Sequence, residues 1–157
     1  MNLRAAKRDD TELIIEFIHK LAVYEKLEHE MTATKALIEK WIFQEKKAEV
    51  LFITENNQEV GFVLYFYNFS TFVGKPGIYI EDIFIIEEYR GNGYGKAVFK
   101  YLSEKAFKEG YGRIEWICLD WNQTAIDFYK SMGAIPLDEW TVYRLDEKAY
   151  FKLANSN

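Results

Sequence analysis

The chain has 157 residues, a formal net charge of −5, and 49% hydrophobic against 29% charged residues. That length argues for a single domain over residues 1–157 that folds without disulfide or metal, and the acidic balance leaves no basic footprint for nucleic acid. No apolar run reaches the roughly 18 residues of a membrane span, Met1–Arg4 leads into polar sequence, and one cysteine, Cys118, fits a reducing, cytoplasmic compartment.

Residues 2–6 read as a short first strand. Asp9 and Glu12 open a helix in which Leu13, Phe17 and Leu21, and Ile14, Ile18 and Ala22, recur at helical spacing up to about residue 27. Thr32 or Thr34 caps a second helix that buries Leu37, Ile38, Trp41 and Ile42. Residues 48–54 and 59–68 are β-rich runs around the turn Glu55-Asn56-Asn57-Gln58, and residues 78–87 form another. The glycine-rich stretch 90–95 feeds a helix of about residues 94–109, stopped by Gly110. A strand at 113–119, a helix from Asn122 to about residue 131, and strands at 134–137 and 140–146 complete the chain. The order β-α-α-β-β-β-α-β-α-β-β predicts an α/β (α+β) fold with a mixed sheet and helices on both faces. The aromatic share is 17%. Phe17, Trp41, Phe62 and Phe107 read as ordinary core.

Arg90-Gly91-Asn92-Gly93-Tyr94-Gly95 sits between a strand and a helix. Glycines let backbone N–H groups approach a ligand, and the helix directs its free N–H groups and positive dipole end to the same place. A phosphate or pyrophosphate is the expected ligand. Neither the P-loop spacing nor the dinucleotide fingerprint fits, so on these residues alone a plain β-α turn stands beside the phosphate site.

Arg90-x-x-Gly93-x-Gly95 resembles the R-x-x-G-x-G loop of the GNAT family of N-acetyltransferases. Asn122 to Ala134 resembles that family's N-x-x-A-x-x-F-Y-x-x-x-G-A segment. Within the family, Leu21–Glu25, Tyr79–Phe84, Tyr89-Arg90-Gly91, Trp121-Asn122 and Phe128-Tyr129-Lys130 are most similar to diamine (spermidine/spermine) and thialysine N-acetyltransferases. The resemblance implies a mixed, mostly antiparallel central sheet flanked by helices, with acetyl-CoA as donor and no metal. The pyrophosphate would be held by Arg90, Gly91, Asn92, Gly93, Tyr94, Gly95 and Lys96. The strand carrying Ile83, Phe84 and Ile85 would pair with the pantetheine arm and supply an oxyanion N–H. Asn122 and Ala125 match positions near the CoA arm, although Asn122 also suits a helix N-cap.

A primary amine is only about 0.04% neutral at pH 7, so a base aids attack. Glu81 and Asp82 are adjacent on a strand and should face opposite sides, which lets only one face a given pocket. The resemblance points to Glu81 as base, directly or through water, and to Tyr129 as the acid that protonates the leaving thiolate. Tyr24, Glu25, Glu81, Asp82 and Phe72 are the acceptor-side candidates. Ser70 and Thr141 stand where the diamine group carries acidic residues, which favours a shorter amine. Cys118 reads as a small strand residue and not as an acetyl carrier. The expected activity is direct acetyl transfer to a small-molecule primary amine such as a polyamine, diamine, thialysine or lysine-like amine. A peptide or protein acetyltransferase and a non-catalytic acetyl-CoA-binding module are the alternatives. The resemblance also implies a homodimer, with Trp140, Tyr143, Tyr150 and Phe151 as an interface.

Overall fold

A computed structural model describes residues 1–156. The chain divides into two compact units, Met1–Leu119 and the residues from Asp120 onward. In the first unit, five strands form one sheet in sequential order: β1 (Asn2–Ala5), β2 (Glu49–Glu55), β3 (Gln58–Ser70), β4 (Lys75–Ile85) and β5 (Ile114–Trp116). The first four pair antiparallel, and β4 pairs parallel with β5. The mixed, mostly antiparallel sheet is therefore as expected.

Local chemistry accounts for the joints. Asn56 and Asn57 adopt φ of 50° and 63°, the left-handed pair that a two-residue hairpin turn requires, and asparagine tolerates it. Between β3 and β4 the turn is tied by Ser70, which is buried. Its Oγ accepts from the Val73 N–H at 3.3 Å and its carbonyl accepts from the Gly74 N–H at 2.8 Å.

The sheet faces divide by strand alternation. Phe52, Phe62 and Phe84 face Ile14, Phe17 and Leu21 of helix α1 (Thr11–Glu25) and Ile42 after helix α2 (Lys35–Ile38). Helix α3 (Tyr94–Glu109) buries Val98, Phe99, Leu102 and Ala106 and packs on β4 and β5. The Phe99 and Trp116 rings meet edge to face at 4.8 Å.

Two details of the helices differ from expectation. After Ile38 the coil widens into a π-turn over Glu39–Gln44. Ile38 and Ile42, four residues apart, both pack on the core, whereas Leu37 is exposed and Trp41 is 43% exposed beneath the Lys40 ammonium. Phe107 is 91% exposed on the outer side of α3, opposite the stripe that carries Leu102 and Ala106, and is not core.

The second unit holds helices α4 (Gln123–Ser131) and α5 (Glu147–Ala154). The two strands expected at 134–137 and 140–146 are not formed, and irregular backbone takes their place. β-Rich composition makes a strand only where a partner ladder exists, and none of the described strands pairs there. Pro136 also lacks a donor, and the Trp140 N–H turns back onto the Leu137 carbonyl at 3.1 Å. Helix α5 was not anticipated, although its N-cap is legible: Asp146 Oδ1 accepts from the Ala149 N–H at 2.7 Å.

Candidate active site

Strand β4 organises the site. Its register with β3 shifts so that Leu64 faces Asp82 and Tyr65 faces Ile80, leaving Glu81 as an extra residue. This is a β-bulge. It overturns the expected simple alternation: Ile80 and Asp82 turn to opposite faces although two residues apart. Asp82 joins the face of Leu64, Phe84 and helix α1, where it is half-buried, while Glu81 is exposed.

Burial, followed by the charges of Glu81 and Glu25, pushes the Asp82 carboxyl up to about 7. Burial also raises the Glu25 carboxyl. The bulge thus brings Asp82 into the electrostatic field of the Glu81 and Glu25 carboxylates. None of the three forms a salt bridge with a cationic side chain among the described residues. A buried acidic group without a counter-ion favours a proton or a bound cation.

Beyond the bulge, β4 loses its second neighbour. The β4–β5 ladder covers only Ile78 to Ile80, so among the described residues Asp82–Ile85 pairs with β3 alone. This open edge contains Ile83, Phe84 and Ile85, the residues expected to meet a pantetheine arm. A strand edge without a ladder on this side suits an added extended segment.

The glycine loop follows. Gly91 and Gly93 have φ of 78° and 81°, and a Cβ on either would meet nothing within 4 Å. Glycine is therefore required there by backbone conformation, with open space above it. No side chain caps α3, whose first turn bond runs from the Ala97 N–H to the Gly93 carbonyl. The N–H groups of Gly91, Asn92, Gly93, Tyr94, Gly95 and Lys96 precede that bond and can receive an anion. Asn92 braces the loop through Nδ2 to the Tyr89 carbonyl at 3.0 Å. The Arg90 side chain is engaged elsewhere: Nε donates to the Ile85 carbonyl at 2.9 Å, and the guanidinium carbon lies 4.4 Å from the Tyr24 ring centroid.

Other candidates are placed differently. Phe72 is 97% exposed at the tip of the β3–β4 hairpin and walls nothing within this chain. Its tip position removes every local neighbour that could cover it. Cys118 lies just past β5 and is half-buried. In the second unit, Asn122 caps α4, its Oδ1 accepting from the Ala125 N–H at 3.2 Å. Tyr129 is half-buried on α4 with its ring 5.5 Å from that of Phe128. The bulge and the Arg90–Tyr24 stack were not foreseen in the sequence; the Glu81-Asp82 pair marks the bulge's place but not its register.

A bulged strand that pairs on one side only beyond the bulge, leading into an uncapped glycine loop and helix, is an arrangement that can receive an extended anionic molecule. The chain belongs to the Acetyltransferase (GNAT) family, which matches residues 14–134, and it is an N-acetyltransferase. Acetyl-CoA is the donor that this family uses. The chain is 35% identical to thialysine N-epsilon-acetyltransferase from Bos taurus, over 97% of its own length and 96% of the relative's. It is 32% identical to L-ornithine N5-acetyltransferase NATA1 from Arabidopsis thaliana, over 91% of this chain and 83% of that one. Among solved structures it resembles an integron cassette protein from the mobile metagenome of V. cholerae, with a TM-score of 0.81 and 25% identity, covering 99% and 98% of the two chains.

Proposed function

We propose that this chain transfers the acetyl group of acetyl-CoA to a primary amine on a small molecule of the thialysine, ornithine-like, diamine or polyamine type. The observation that carries this reading is the acidic group formed by Glu81 and Asp82, on the strand that leads into the glycine loop, with Glu25 at the end of α1, none of them with a cationic salt-bridge partner among the described residues. Such a group favours an ammonium acceptor, and the amines named for the relatives are of that kind.

In this reading the loop Arg90–Lys96 binds the pyrophosphate through main-chain N–H groups, and Ile83 and Ile85 meet the pantetheine arm along the open edge. Asn122 and Ala125 match the family's positions for contacts to that arm. Glu81, directly or through a water, accepts the ammonium proton. The amine nitrogen attacks the thioester carbon, the C–S bond breaks, the Tyr129 hydroxyl protonates the departing thiolate, and the second proton shed by the acylated nitrogen restores the Tyr129 phenol. Tyr24, Glu25 and Asp82 hold the rest of the acceptor. Residues 1–157 act as one domain, and the enzyme works as a homodimer in the cytoplasm. Phe72, fully exposed on its hairpin, can wall the acceptor only from a neighbouring copy.

The test is a panel of amines with acetyl-CoA, following free thiol release. Turnover with thialysine, ornithine or a diamine is expected. Activity on peptide amines alone, or on no amine while acetyl-CoA still binds, overturns the reading.

A further inference from the structure

Arg90 opens the glycine loop, yet its side chain reaches back across the unit. Besides the Ile85 carbonyl and the Tyr24 ring, its guanidinium carbon lies 5.5 Å from the Phe84 ring centroid. The Tyr24 and Phe84 rings are 6.2 Å apart, tilted at 59°. One cation therefore bridges the last turn of α1, the end of β4 and the loop. A guanidinium suits this task because it offers a flat face to an aromatic ring while its N–H groups bond in plane.

The far end of this bridge is where the acceptor contacts are proposed. Tyr24 immediately precedes Glu25, the last residue of α1, and the chain then leaves the helix through Lys26 at φ 61°. The Glu25 carboxylate is thus carried on a helix end that the Tyr24 ring pins to β4. The near end is the donor strand itself, since Ile85 lies on the open edge of β4.

We infer that Arg90 is a positioning residue for the amine acceptor: by stacking on Tyr24 and bonding to Ile85, it fixes the Tyr24–Glu25 helix end against the donor strand. The loop's free amides remain for the pyrophosphate, so the side chain of Arg90 is not needed as its main ligand. This role rests on the acceptor reading of Glu25.

The test compares Arg90→Met, Arg90→Lys and Tyr24→Leu, reading acetyl-CoA affinity by calorimetry alongside kcat and amine KM. Arg90→Met keeps the bulk but loses the charge. It should raise amine KM about fivefold to twentyfold while acetyl-CoA affinity changes less than about threefold, a fraction of what the cation–π contact and the charged hydrogen bond contribute together, because both act on the amine only through the position of the helix end. Arg90→Lys, which keeps a cation over the ring, should recover part of that loss. Tyr24→Leu should raise amine KM similarly, and the double variant with Arg90→Met should be no worse than either alone. Lost acetyl-CoA affinity at unchanged amine KM, or additive effects in the double variant, overturns the inference. Wild-type turnover separates the two readings. No acetylated amine at all refutes the proposed function, whereas normal amine KM in Arg90→Met with an active wild type refutes the positioning role alone.

Discussion

Ile80 and Asp82 lie two residues apart on one strand yet face opposite sides of the sheet, because Glu81 between them has no partner in β3. The first consequence is electrostatic. Asp82 is turned into a half-buried position where burial and two acidic neighbours hold its carboxyl at about 7, against 3.8 for an unperturbed aspartate. A carboxyl raised in this way binds more protons folded than unfolded between those two values. Stability of the wild type therefore falls as pH rises through that window. Asp82→Asn removes the penalty. It should be more stable than wild type at pH 8, by on the order of a few kcal/mol, and the difference should shrink toward pH 4. Urea unfolding at pH 4.5, 6 and 8 checks this; a pH-independent difference would sink it.

The glycine loop makes a second, separable prediction. At Gly93 the φ of 81° is the only constraint, since a Cβ has open space. Gly93→Ala should cost about 1–2 kcal/mol of stability for the left-handed conformation. It should also weaken acetyl-CoA binding at least tenfold by moving the amides. Melting temperature and calorimetric affinity, taken together, read both.

Gly61 supplies the contrast. A Cβ there would come 2.6 Å from the Phe84 carbonyl and 2.9 Å from Ile53 Cδ1. Backbone cannot yield as a side-chain tip does. Gly61→Ala should destabilise by about 1–3 kcal/mol or more and distort β4 opposite Ile85. Chemical denaturation measures the loss; a neutral substitution would mean that the strands separate more easily than their register suggests.

On the proposed chemistry, Tyr129→Phe removes the thiolate's proton donor. kcat should fall about 10²-fold or more while acetyl-CoA affinity stays within twofold. Equal kcat in the two proteins would require another acid. A solvent-isotope effect on the residual rate gives an independent reading of proton transfer.

Glu25→Gln should raise amine KM several-fold and leave acetyl-CoA KM unchanged, with the larger effect on divalent than on monovalent amines. Steady-state kinetics on a matched pair, a diamine and a monoamine of equal length, decides it.

Much of this was legible in the residues. The 3.6-residue stripe of Ile14, Phe17 and Leu21 specified α1, the Asn56-Asn57 turn specified the β2–β3 hairpin, and the glycines at 91 and 93 marked the left-handed loop before α3. What escaped was set by pairing at a distance. The bulge at Glu81 is a register event, and no local pattern distinguishes it from regular alternation. The β-rich run at 140–146 lacks a ladder in the second unit, so propensity alone misled. Leu37 and Trp41 likewise fall outside the stripe, because the core takes only the Ile38 and Ile42 side of that segment. Ser70, noted only as a missing carboxylate, is a buried turn residue whose hydroxyl is already occupied.

The open edge of β4 has a further consequence. An unpaired strand edge is a template on which a stray strand from another molecule can nucleate aggregation, and proteins commonly blunt such edges with charge. Here the unpaired stretch begins at Glu81-Asp82. The same acidic pair that would attract an amine makes this edge inhospitable to an apolar strand. Neutralising both residues should therefore leave a chain that precipitates sooner at high concentration.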